Sequence, residues 1–327
     1  MAHTNQKSCS DADFVSLYES HGPAELHRRT GTDLANIHRR RRGLERKLGR
    51  EIMPPPHLMG SGRSGLKAKK FHPGQEILKV DNGIVLVGSD AHYWPNIVTT
   101  AHRAFVHFAK LWGRKGVLKA VIMNGDVLDG SGISRHPPIG WEDRPQLVQE
   151  IDACKERLGE IEKVTGNAKL YWTLGNHDAR FETRLATVAP EYAKIHGVHL
   201  QDHFPYWQPC WSLWINNEVV IKHRYKGGIH ATHNNTVNSG KTIVTGHLHS
   251  LKVTPFSDYN GTRWGVDTGT LAEPYGPQFI DYCEGNPVSW RSGFIVLTFK
   301  DGELLDPEIV RVMDDGQVCF RGEVIEV

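Results

Sequence analysis

The sequence has few cysteines, and no two of them form a C-x-x-C pair. Because the five cysteines are odd in number and far apart, they argue against both a disulfide framework and a zinc knuckle. Apolar runs are short: residues 83–88 are only strand-length, whereas a membrane-spanning helix needs roughly 20 residues. The first ten residues also lack the apolar core of a secretion signal. We therefore expect a cytoplasmic protein without a membrane partner.

The composition excludes collagen-like, disordered and membrane-bundle proteins, because apolar, charged and glycine contents are ordinary. A chain of 327 residues can form one large catalytic domain and a small appendage. Histidine is abundant, with 19 residues, and clusters beside Asp and Gly in the second half. That clustering favours metal chemistry. No feature of the sequence indicates an oligomeric state.

Positive charge is concentrated near the N-terminus. Residues 21–50 contain nine Lys or Arg and three acidic residues, whereas the whole chain has a net charge of +2. Residues 11–20 and 24–29 are predicted as short helices, and a third helix follows Gly31. The apolar residues of the third helix share one face: Leu34, Ile37, Leu44 and Leu48. Its other faces carry the basic residues Arg39, Arg40, Arg42, Arg46 and Lys47.

Three short helices with a glycine-containing turn before a basic last helix resemble a helix-turn-helix, whose last helix contacts phosphates and base edges. We therefore predict that residues 1–50 form a small all-helical module that binds DNA. The alternative is a basic helix that is solvated or packs on its own domain. Residues 51–75 are predicted as a linker, since they are rich in Pro, Gly and Ser and show no apolar periodicity.

Residues 76–327 show a different pattern, in which short β-rich runs alternate with helical segments. The predicted strands are 84–87, 119–123, 170–174, 219–221 and 242–244. The predicted helices are 97–112, 145–165 and 181–197. This alternation predicts an α/β domain. Since sites in α/β sheets form at the carboxyl ends of strands, the five strand ends can converge on one place.

Polar residues that suit metal ions follow each of the five strands. In order they are Ser89-Asp90-Ala91-His92, Asn124-Gly125-Asp126-Val127-Leu128-Asp129-Gly130, Gly175-Asn176-His177-Asp178, the single His223, and Gly246-His247-Leu248-His249. Side chains at i and i+2 of an extended chain point the same way, so Asp90 and His92 can bind one ion together. His230 and His233 compete with His223 for the fourth position, although neither ends an apolar run.

The motifs D-x-H, G-D-x-x-D, G-N-H-D, a strand-end His and G-H-x-H in this order resemble the calcineurin-like metallophosphoesterase family, over residues 76 to about 269. The resemblance implies a four-layer α/β sandwich, in which helices flank two mixed β-sheets, and two divalent metal ions. The residues implied to hold one ion are Asp90, His92, Asp126 and His249. Those implied to hold the other are Asp126, Asn176, His223 and His247. The resemblance also places His177 beside the substrate, oriented by Asp129 or Asp178.

The chemistry of phosphate-ester hydrolysis accounts for these residue types. Two neighbouring divalent ions acidify a bridging water to hydroxide and neutralise charge during in-line attack, and an imidazolium protonates the departing oxygen. Arg180, Arg135 and His136 are candidates for phosphate contacts, the alternative being surface residues paired with local carboxylates. Mixed His, Asp and amide ligands favour Mn, Fe or Zn over Mg, and we expect manganese in assays.

The chain as a whole resembles phosphoesterases encoded by phages and prophages, which implies the host cytoplasm as its location. The preferred function is a metal-dependent phosphodiesterase or nuclease that acts on DNA or nucleotides, with the N-terminal module as a DNA tether. One alternative is a phosphomonoesterase on small molecules or phosphoproteins. Another is a DNA-binding regulator whose phosphoesterase fold is not catalytic. The tryptophans predicted to pack in the core or a lid are Trp94, Trp172, Trp207, Trp211 and Trp214.

Overall fold

The computed structural model describes residues 9–54 and 74–327. The chain divides into two compact units, residues 1–71 and 72–327. Most of the predicted linker, residues 55–73, lies outside the described residues. Within the described ranges, no helix is long and apolar enough to cross a membrane.

Two helices form the described part of the N-terminal unit. Helix α1, Asp11–Thr30, is kinked at Gly22, whose φ of 75° is not helical, directly before Pro23. The helix ends at Gly31 in the left-handed conformation, with φ of 69°. Helix α2, Leu34–Leu48, begins where the Asp33 side chain accepts a hydrogen bond from the Ala35 backbone N–H. The breaks between the three predicted helices are therefore found at Gly22 and Gly31.

The N-terminal unit has its own apolar core. Its buried members are Phe14, Val15, Tyr18, Leu26, Ile37, Leu44 and Ile52. Leu34, Ile37, Leu44 and Leu48 share one face of α2 as expected, but only Ile37 and Leu44 are buried, whereas Leu34 and Leu48 are 43% and 50% exposed. Leu34 and Leu48 are the first and last residues of α2, so the packed part of its apolar face is limited to the middle turns.

Residues 74–327 contain fifteen strands and five further α-helices. The strands are β1 Gln75–Leu78, β2 Gly83–Gly88, β3 Leu118–Met123, β4 Lys169–Thr173, β5 Gln208–Cys210, β6 Ser212–Ile215, β7 Val219–Ile221, β8 Thr242–Thr245, β9 Lys252–Asp258, β10 Gly261–Asp267, β11 Gly293–Lys300, β12 Glu303–Leu304, β13 Glu308–Asp314, β14 Gln317–Phe320 and β15 Glu323–Glu326. The helices are α3 Thr100–Arg114, α4 Leu147–Glu162, α5 Asp178–Val188, α6 Ala231–Ser239 and α7 Ile280–Cys283. Short 3₁₀ turns cover Ser131–Ile133, Pro190–Tyr192 and Leu200–His203.

The strands of the described residues form two mixed sheets. The six-stranded sheet has the order β1-β6-β7-β8-β10-β9. The nine-stranded sheet has the order β15-β14-β13-β11-β2-β3-β4-β5, with β12 paired to β11. Strands β2, β3, β4 and β5 are mutually parallel, as are β7, β8 and β10. Strand β1 pairs parallel with β6, whereas β6 pairs antiparallel with β7, β9 with β10, and β11 with β2 and β13. Consecutive parallel strands therefore end at the same edge of their sheet.

Alternating side chains of the nine-stranded sheet face two different layers. Val85 and Val87 of β2 pack in the core shared with the six-stranded sheet, whereas Leu86 packs in the core that contains α3 and α4. Helix α6 packs on β8, β9 and β10 of the six-stranded sheet. The predicted architecture, two mixed sheets flanked by helices together with an N-terminal helical region, is confirmed.

Candidate metal centre

The loops after β2, β3, β4 and β8 are joined by hydrogen bonds between motifs. The Asp90 N–H donates to the Gly125 carbonyl at 2.9 Å. The His177 N–H donates to Asp126 Oδ1 at 2.8 Å, and the His247 N–H donates to Asp90 Oδ2 at 2.9 Å. Four segments that are distant in the sequence thus meet at one place.

Potential ligand atoms collect in three groups within the described residues, each with its members within 4.8 Å of one another. The groups are Asp90, His92 and His249; Asp126, His223 and His247; and His92, Asp129 and His177. The first two groups adjoin, because His223 Nε2 lies 3.0 Å from Asp126 Oδ2 and 3.9 Å from Asp90 Oδ1. This arrangement suits two neighbouring cations.

Several predicted ligands have a buried polar atom without a hydrogen-bond partner among the described residues. These atoms are His92 Nε2, Asn176 Oδ1, His223 Nε2 and His249 Nδ1. His223 Nε2 is close to Asp126, but the orientation is not that of a hydrogen bond. A buried polar atom without a partner costs about 1–3 kcal/mol, and a cation would satisfy each of these lone pairs. The donor set therefore fits divalent metal ions.

The second ring nitrogen of two of these histidines has a fixed partner. His92 Nδ1 lies 2.9 Å from Asp129 Oδ1, and His223 Nδ1 lies 2.7 Å from the Asn124 carbonyl oxygen. An oxygen acceptor at Nδ1 favours the proton there and leaves the Nε2 lone pair free. Both rings are thus oriented as metal ligands require.

Five of the predicted ligands lie on left-handed backbone. Their φ angles are 51° at Asp90, 39° at His92, 50° at Asp126, 71° at His247 and 56° at His249. Such a conformation costs a non-glycine residue of order 1–3 kcal/mol and persists only where the surroundings enforce it. The loops therefore hold these side chains at the expense of backbone strain, as functional sites commonly do.

Two motif glycines are required by close approach. A Cβ on Gly175 would lie 2.0 Å from Asp126 Oδ1, and a Cβ on Gly125 would lie 2.3 Å from His223 Nδ1. Neither position has room for a side chain, because a Cβ there would clash with an atom of a predicted ligand. The glycines of the second and third motifs thus let the ligands approach one another.

The Asp178 side chain contacts backbone N–H groups and the Trp172 indole, and not the His177 ring. Its buried carboxylate accepts backbone N–H groups from Asp126, Val127, Leu128 and Gly175 at 2.8–3.2 Å, and the Trp172 indole N–H at 2.9 Å. Asp178 therefore fixes the backbone of the loop that carries Asp126. Burial raises the pKa of the Asp178 carboxyl to about 6, and nearby Asp126 adds to the effect.

Asp129 and Arg180 do contact His177. The His177 Nδ1 lies 2.8 Å from the Asp129 carbonyl oxygen and 3.4 Å from Asp129 Oδ1. Arg180 donates to the same carbonyl at 2.9 Å, and its Nη2 lies 3.1 Å from His177 Nε2. Because Nδ1 faces an acceptor and the Arg180 guanidinium can only donate, Nε2 of the neutral His177 ring accepts from Arg180. His177 Nε2 also lies 4.0 Å from Asp126 Oδ2, at the border of the second ligand group.

Opposite charges dominate the electrostatics of the site. Burial alone would lower the pKa of His223, but the carboxylates of Asp126 and Asp90 raise it to about 10. Burial would likewise lower the pKa of His177, and Asp129 and Asp126 raise it above its usual value. The pKa of the Asp126 carboxyl is held well below its usual range despite burial, mainly by His223. In the metal-free protein the His223 proton thus supplies charge that a bound cation would replace.

The remaining sequence candidates lie elsewhere. His230 and His233 are exposed and belong to none of the ligand groups formed by the described residues. Arg135 and His136 are also exposed, and within the described residues neither forms an ion pair. Of the three histidines that could fill the fourth ligand position, only His223 belongs to a ligand group of the described residues, and its side chain is 1% exposed.

Aromatic residues form one wall of the site, and the sequence motifs did not indicate them. The Phe279 ring centroid lies 4.9 Å from that of His92 and 5.6 Å from that of His249. The Trp290 ring centroid lies 4.5 Å from that of His249. Both residues come from the mostly irregular segment 271–292, which has no periodic pattern to read. Their only signal in the sequence is aromatic content next to glycine and proline.

The sequence matches no family model and no curated protein. Among solved structures, the chain is similar to a zinc complex of Vps29 from Entamoeba histolytica, at 14% identity and a TM-score of 0.39, over 74% of this chain and 98% of that one. It is similar to an archaeal phosphodiesterase at 16% identity and a TM-score of 0.35, over 69% and 99%. It is also similar to the nuclease MPE of Pseudomonas putida at 12% identity and a TM-score of 0.28, over 68% and 86%. At such low identities and TM-scores, these similarities carry no argument about function.

Proposed function

We propose that this chain is a metal-dependent phosphoesterase that hydrolyses phosphodiesters of nucleic acids or nucleotides. The observation that carries the proposal is the pair of adjoining ligand groups, whose buried lone pairs lack partners, beside the contact between His177 and Arg180. A site built for structure alone would satisfy its buried polar atoms internally. The sequence resemblance to metallophosphoesterases points to the same chemistry.

The residues that we propose to hold two divalent ions are Asp90, His92, Asp126, Asn176, His223, His247 and His249, which is supported by the ligand groups and the unpartnered buried atoms among the described residues. When bound, such ions supply positive charge for the phosphate oxygens and lower the pKa of water. We favour manganese, because the donor set mixes imidazole, carboxylate and amide groups. Asp126 is the proposed shared ligand, since its two oxygens face the His177 N–H and His223 Nε2.

The protein's own contribution to bond cleavage centres on His177. The Asp129 carbonyl holds Nδ1, and Arg180 occupies Nε2 in the structure, so Nε2 can protonate the departing oxygen once Arg180 turns to the phosphate. Arg180 Nη2 is beside that atom and can donate to a non-bridging phosphate oxygen. Carboxylates nearby favour the protonated ring, which is the form a general acid requires.

A phosphoprotein phosphatase is the poorer fit within the resemblance, because Asp129 is followed by Gly130 and not by arginine. Phosphomonoesters remain the alternative substrates of the same centre. A regulator with a non-catalytic site is disfavoured, because the complete set of ligand side chains is present and His177 is retained beside it.

Hydrolysis of bis-p-nitrophenyl phosphate by the full chain tests the proposal, with p-nitrophenyl phosphate as the matched monoester. We expect diester turnover that requires manganese, ceases in EDTA, returns on re-addition and exceeds monoester turnover. Faster monoester turnover would favour the phosphomonoesterase. If the wild-type protein hydrolysed neither ester with Mn, Fe, Zn or Mg, the enzymatic proposal would be wrong and the regulator would be favoured.

A further inference from the structure

Three aromatic residues connect a predicted metal ligand to the surface. The Trp290 ring packs on His249 with centroids 4.5 Å apart, and Tyr282 stacks on Trp290 at 5.9 Å with an interplanar angle of 15°. Phe279 supports the inner end, 5.1 Å from Trp290. We call Phe279, Trp290 and Tyr282 the aromatic ladder. Its outer rung is accessible, since Tyr282 is 78% exposed.

More exposed rings adjoin the ladder. The Trp141 indole N–H is 3.3 Å from Asp281, the residue before Tyr282, and the Trp141 side chain is 79% exposed. Tyr275, 58% exposed, accepts a hydrogen bond from the Val288 N–H, two residues before Trp290. Aromatic rings left open to water in one neighbourhood are typical of a surface that binds a planar, apolar partner.

A basic cleft adjoins the other end of the same histidine motif. Its volume is about 500 Å³, and it is lined by Lys222, Arg224, Tyr225, Lys226 and His247, among others. Within residues 74–327, no carboxylate forms an ion pair with Lys222, Arg224 or Lys226. Arg224 and Lys226 are exposed. We call these residues the basic cleft. Lys226 donates to Asn238 Oδ1 at 2.8 Å, and Lys222 lies over the Tyr225 ring, so its cations have neutral neighbours and can take a phosphate as the anionic partner.

The two surfaces flank one centre. His247 lines the basic cleft, whereas His249, two residues later, touches the aromatic ladder. A ligand that uses both surfaces must therefore cross the predicted metal ions and carry a planar ring and at least one further phosphate. A simple phosphomonoester would contact the ions alone.

Resting on the proposed function, we propose that the centre takes an unpaired stretch of nucleic acid. One base stacks on the aromatic ladder, and a phosphate neighbouring the scissile one lies in the basic cleft. Bases inside a duplex are already stacked and paired, so a side-chain platform of this kind selects single strands or frayed ends. Stacking is tolerant of base identity because every base has a π-face, so little sequence preference is expected.

Binding tests this inference without any metal. Fluorescence anisotropy of a labelled oligothymidylate with the EDTA-treated full chain would compare Tyr282→Ala and Arg224→Ala with matched controls. The control for Tyr282 is Tyr259→Ala, in the exposed turn between β9 and β10. The control for Arg224 is Lys300→Ala. Lys300 is at the end of β11 that pairs with the start of β2, whereas Asp90 follows the other end of β2.

We expect Tyr282→Ala and Arg224→Ala each to weaken single-strand binding about tenfold, while the controls bind like wild type. Arg224→Ala should also reduce the slope of log Kd against log salt by about one, because one phosphate contact is lost. A thermal melt of each variant would establish that it is folded. Single-strand affinities of both variants equal to wild type would overturn the inference, as would an equal loss of duplex affinity.

Hydrolysis separates this inference from the proposed function. With manganese-loaded protein, kcat/KM for the oligothymidylate should fall in Tyr282→Ala at least tenfold more than kcat/KM for bis-p-nitrophenyl phosphate. If wild type hydrolysed the aryl diester but left the single strand intact, the inference would be wrong and the proposed function would stand. If wild type hydrolysed nothing while the binding differences held, the proposed function would be wrong and the strand-binding surface would stand.

Discussion

The N-terminal unit and the metal centre both concentrate ionisable side chains, but they use them in opposite ways. In the N-terminal unit, Arg40 donates to Asp11 and to the Cys9 carbonyl at 2.8 Å, and its guanidinium lies 4.7 Å above the Phe14 ring. Arg50 pairs with Glu19, and Glu25 pairs with two arginines. In the candidate metal centre, by contrast, buried ring nitrogens of His92, His223 and His249 have no hydrogen-bond partner among the described residues.

The difference teaches that charge density alone does not say which cations lack a carboxylate partner. Residues 21–50 hold the strongest charge bias of the sequence, yet several of their arginines are engaged within the unit. The basic cleft has fewer cations, but within the described residues none of them is paired to a carboxylate. DNA binding by residues 1–50 stays a prediction, and the exposed cations that it would use are Arg39, Arg42 and Arg46.

The largest effect is expected from removing one charge from the metal centre. Asp126→Asn keeps the shape of the side chain but removes the carboxylate that faces both His177 and His223. We expect diester turnover to fall by more than about 10³-fold, because metal-assisted charge stabilisation is worth several kcal/mol. Steady-state kinetics and metal content per chain would measure it. Asp152→Asn, an exposed change on α4, serves as the control, and full activity of Asp126→Asn would contradict the assigned centre.

A smaller, substrate-dependent effect is expected at His177. His177→Asn should lower kcat about 10²- to 10⁴-fold for alkyl diesters, which need a proton on the departing oxygen, and far less for p-nitrophenyl diesters. Since the active form is protonated, the wild-type rate on alkyl diesters should fall as pH rises through the His177 pKa, and that limb should vanish in the variant. The control is His107→Asn, exposed on α3. Equal losses for both leaving groups would mean that His177 is not the acid.

The Tm of the metal-free protein should depend on pH through His223. The folded-state pKa of His223 is raised to about 10 from an ordinary 6.5, so its ionic contribution is fully present below pH 6.5 and lost as pH rises through about 10. The Tm of EDTA-treated protein should therefore decline over that range, and saturating manganese should reduce the decline. His223→Asn should flatten the profile of the metal-free protein. An unchanged profile would show that His223 does not carry this charge.

The smallest effect is expected in the N-terminal unit. Arg40→Ala removes contacts to Asp11 and Phe14 at a partly exposed position, so a small decrease in Tm and normal aryl diester turnover are expected. Arg42→Ala, which removes an exposed cation of the same helix, is the matched control and should leave Tm unchanged. Loss of diester turnover in Arg40→Ala would contradict the expectation that Arg40 serves only the stability of the N-terminal unit.

The sequence predicted the elements whose signal is local. Strands β2, β3, β4, β7 and β8 were recognisable from apolar runs. Within each sheet the residues that follow them lie close because parallel strands end at a common edge, and the packing of the two sheets on each other brings the two sets together. The helix predicted at 181–197 was too long, since α5 begins at Asp178 and ends at Val188. No glycine caps the end of that helix, but Pro190, two residues after Val188, is a stop signal that the predicted bounds did not take into account.

Features that depend on distant contacts were not predictable. The role of Asp178 depends on four backbone N–H groups, three of them about fifty residues away, which no motif spacing reveals. The aromatic ladder comes from a segment with little regular structure, and its relation to His249 exists only in the folded chain. Trp172 and Trp207 are buried, as the core prediction requires, but Trp211 is 39% exposed, and the tryptophan that packs on His249 is Trp290, for which no role was predicted.

The left-handed backbone at five ligand positions limits how this centre could be transplanted. An engineer who copied only the aspartates and histidines onto another scaffold would place them on relaxed loops, whose side chains diverge. The donor loops, the motif glycines and the carboxylate of Asp178 that clamps one of those loops would have to travel with them. The smallest part that could be transferred to another scaffold is thus the set of strained loops that carry the predicted ligands, together with Asp178.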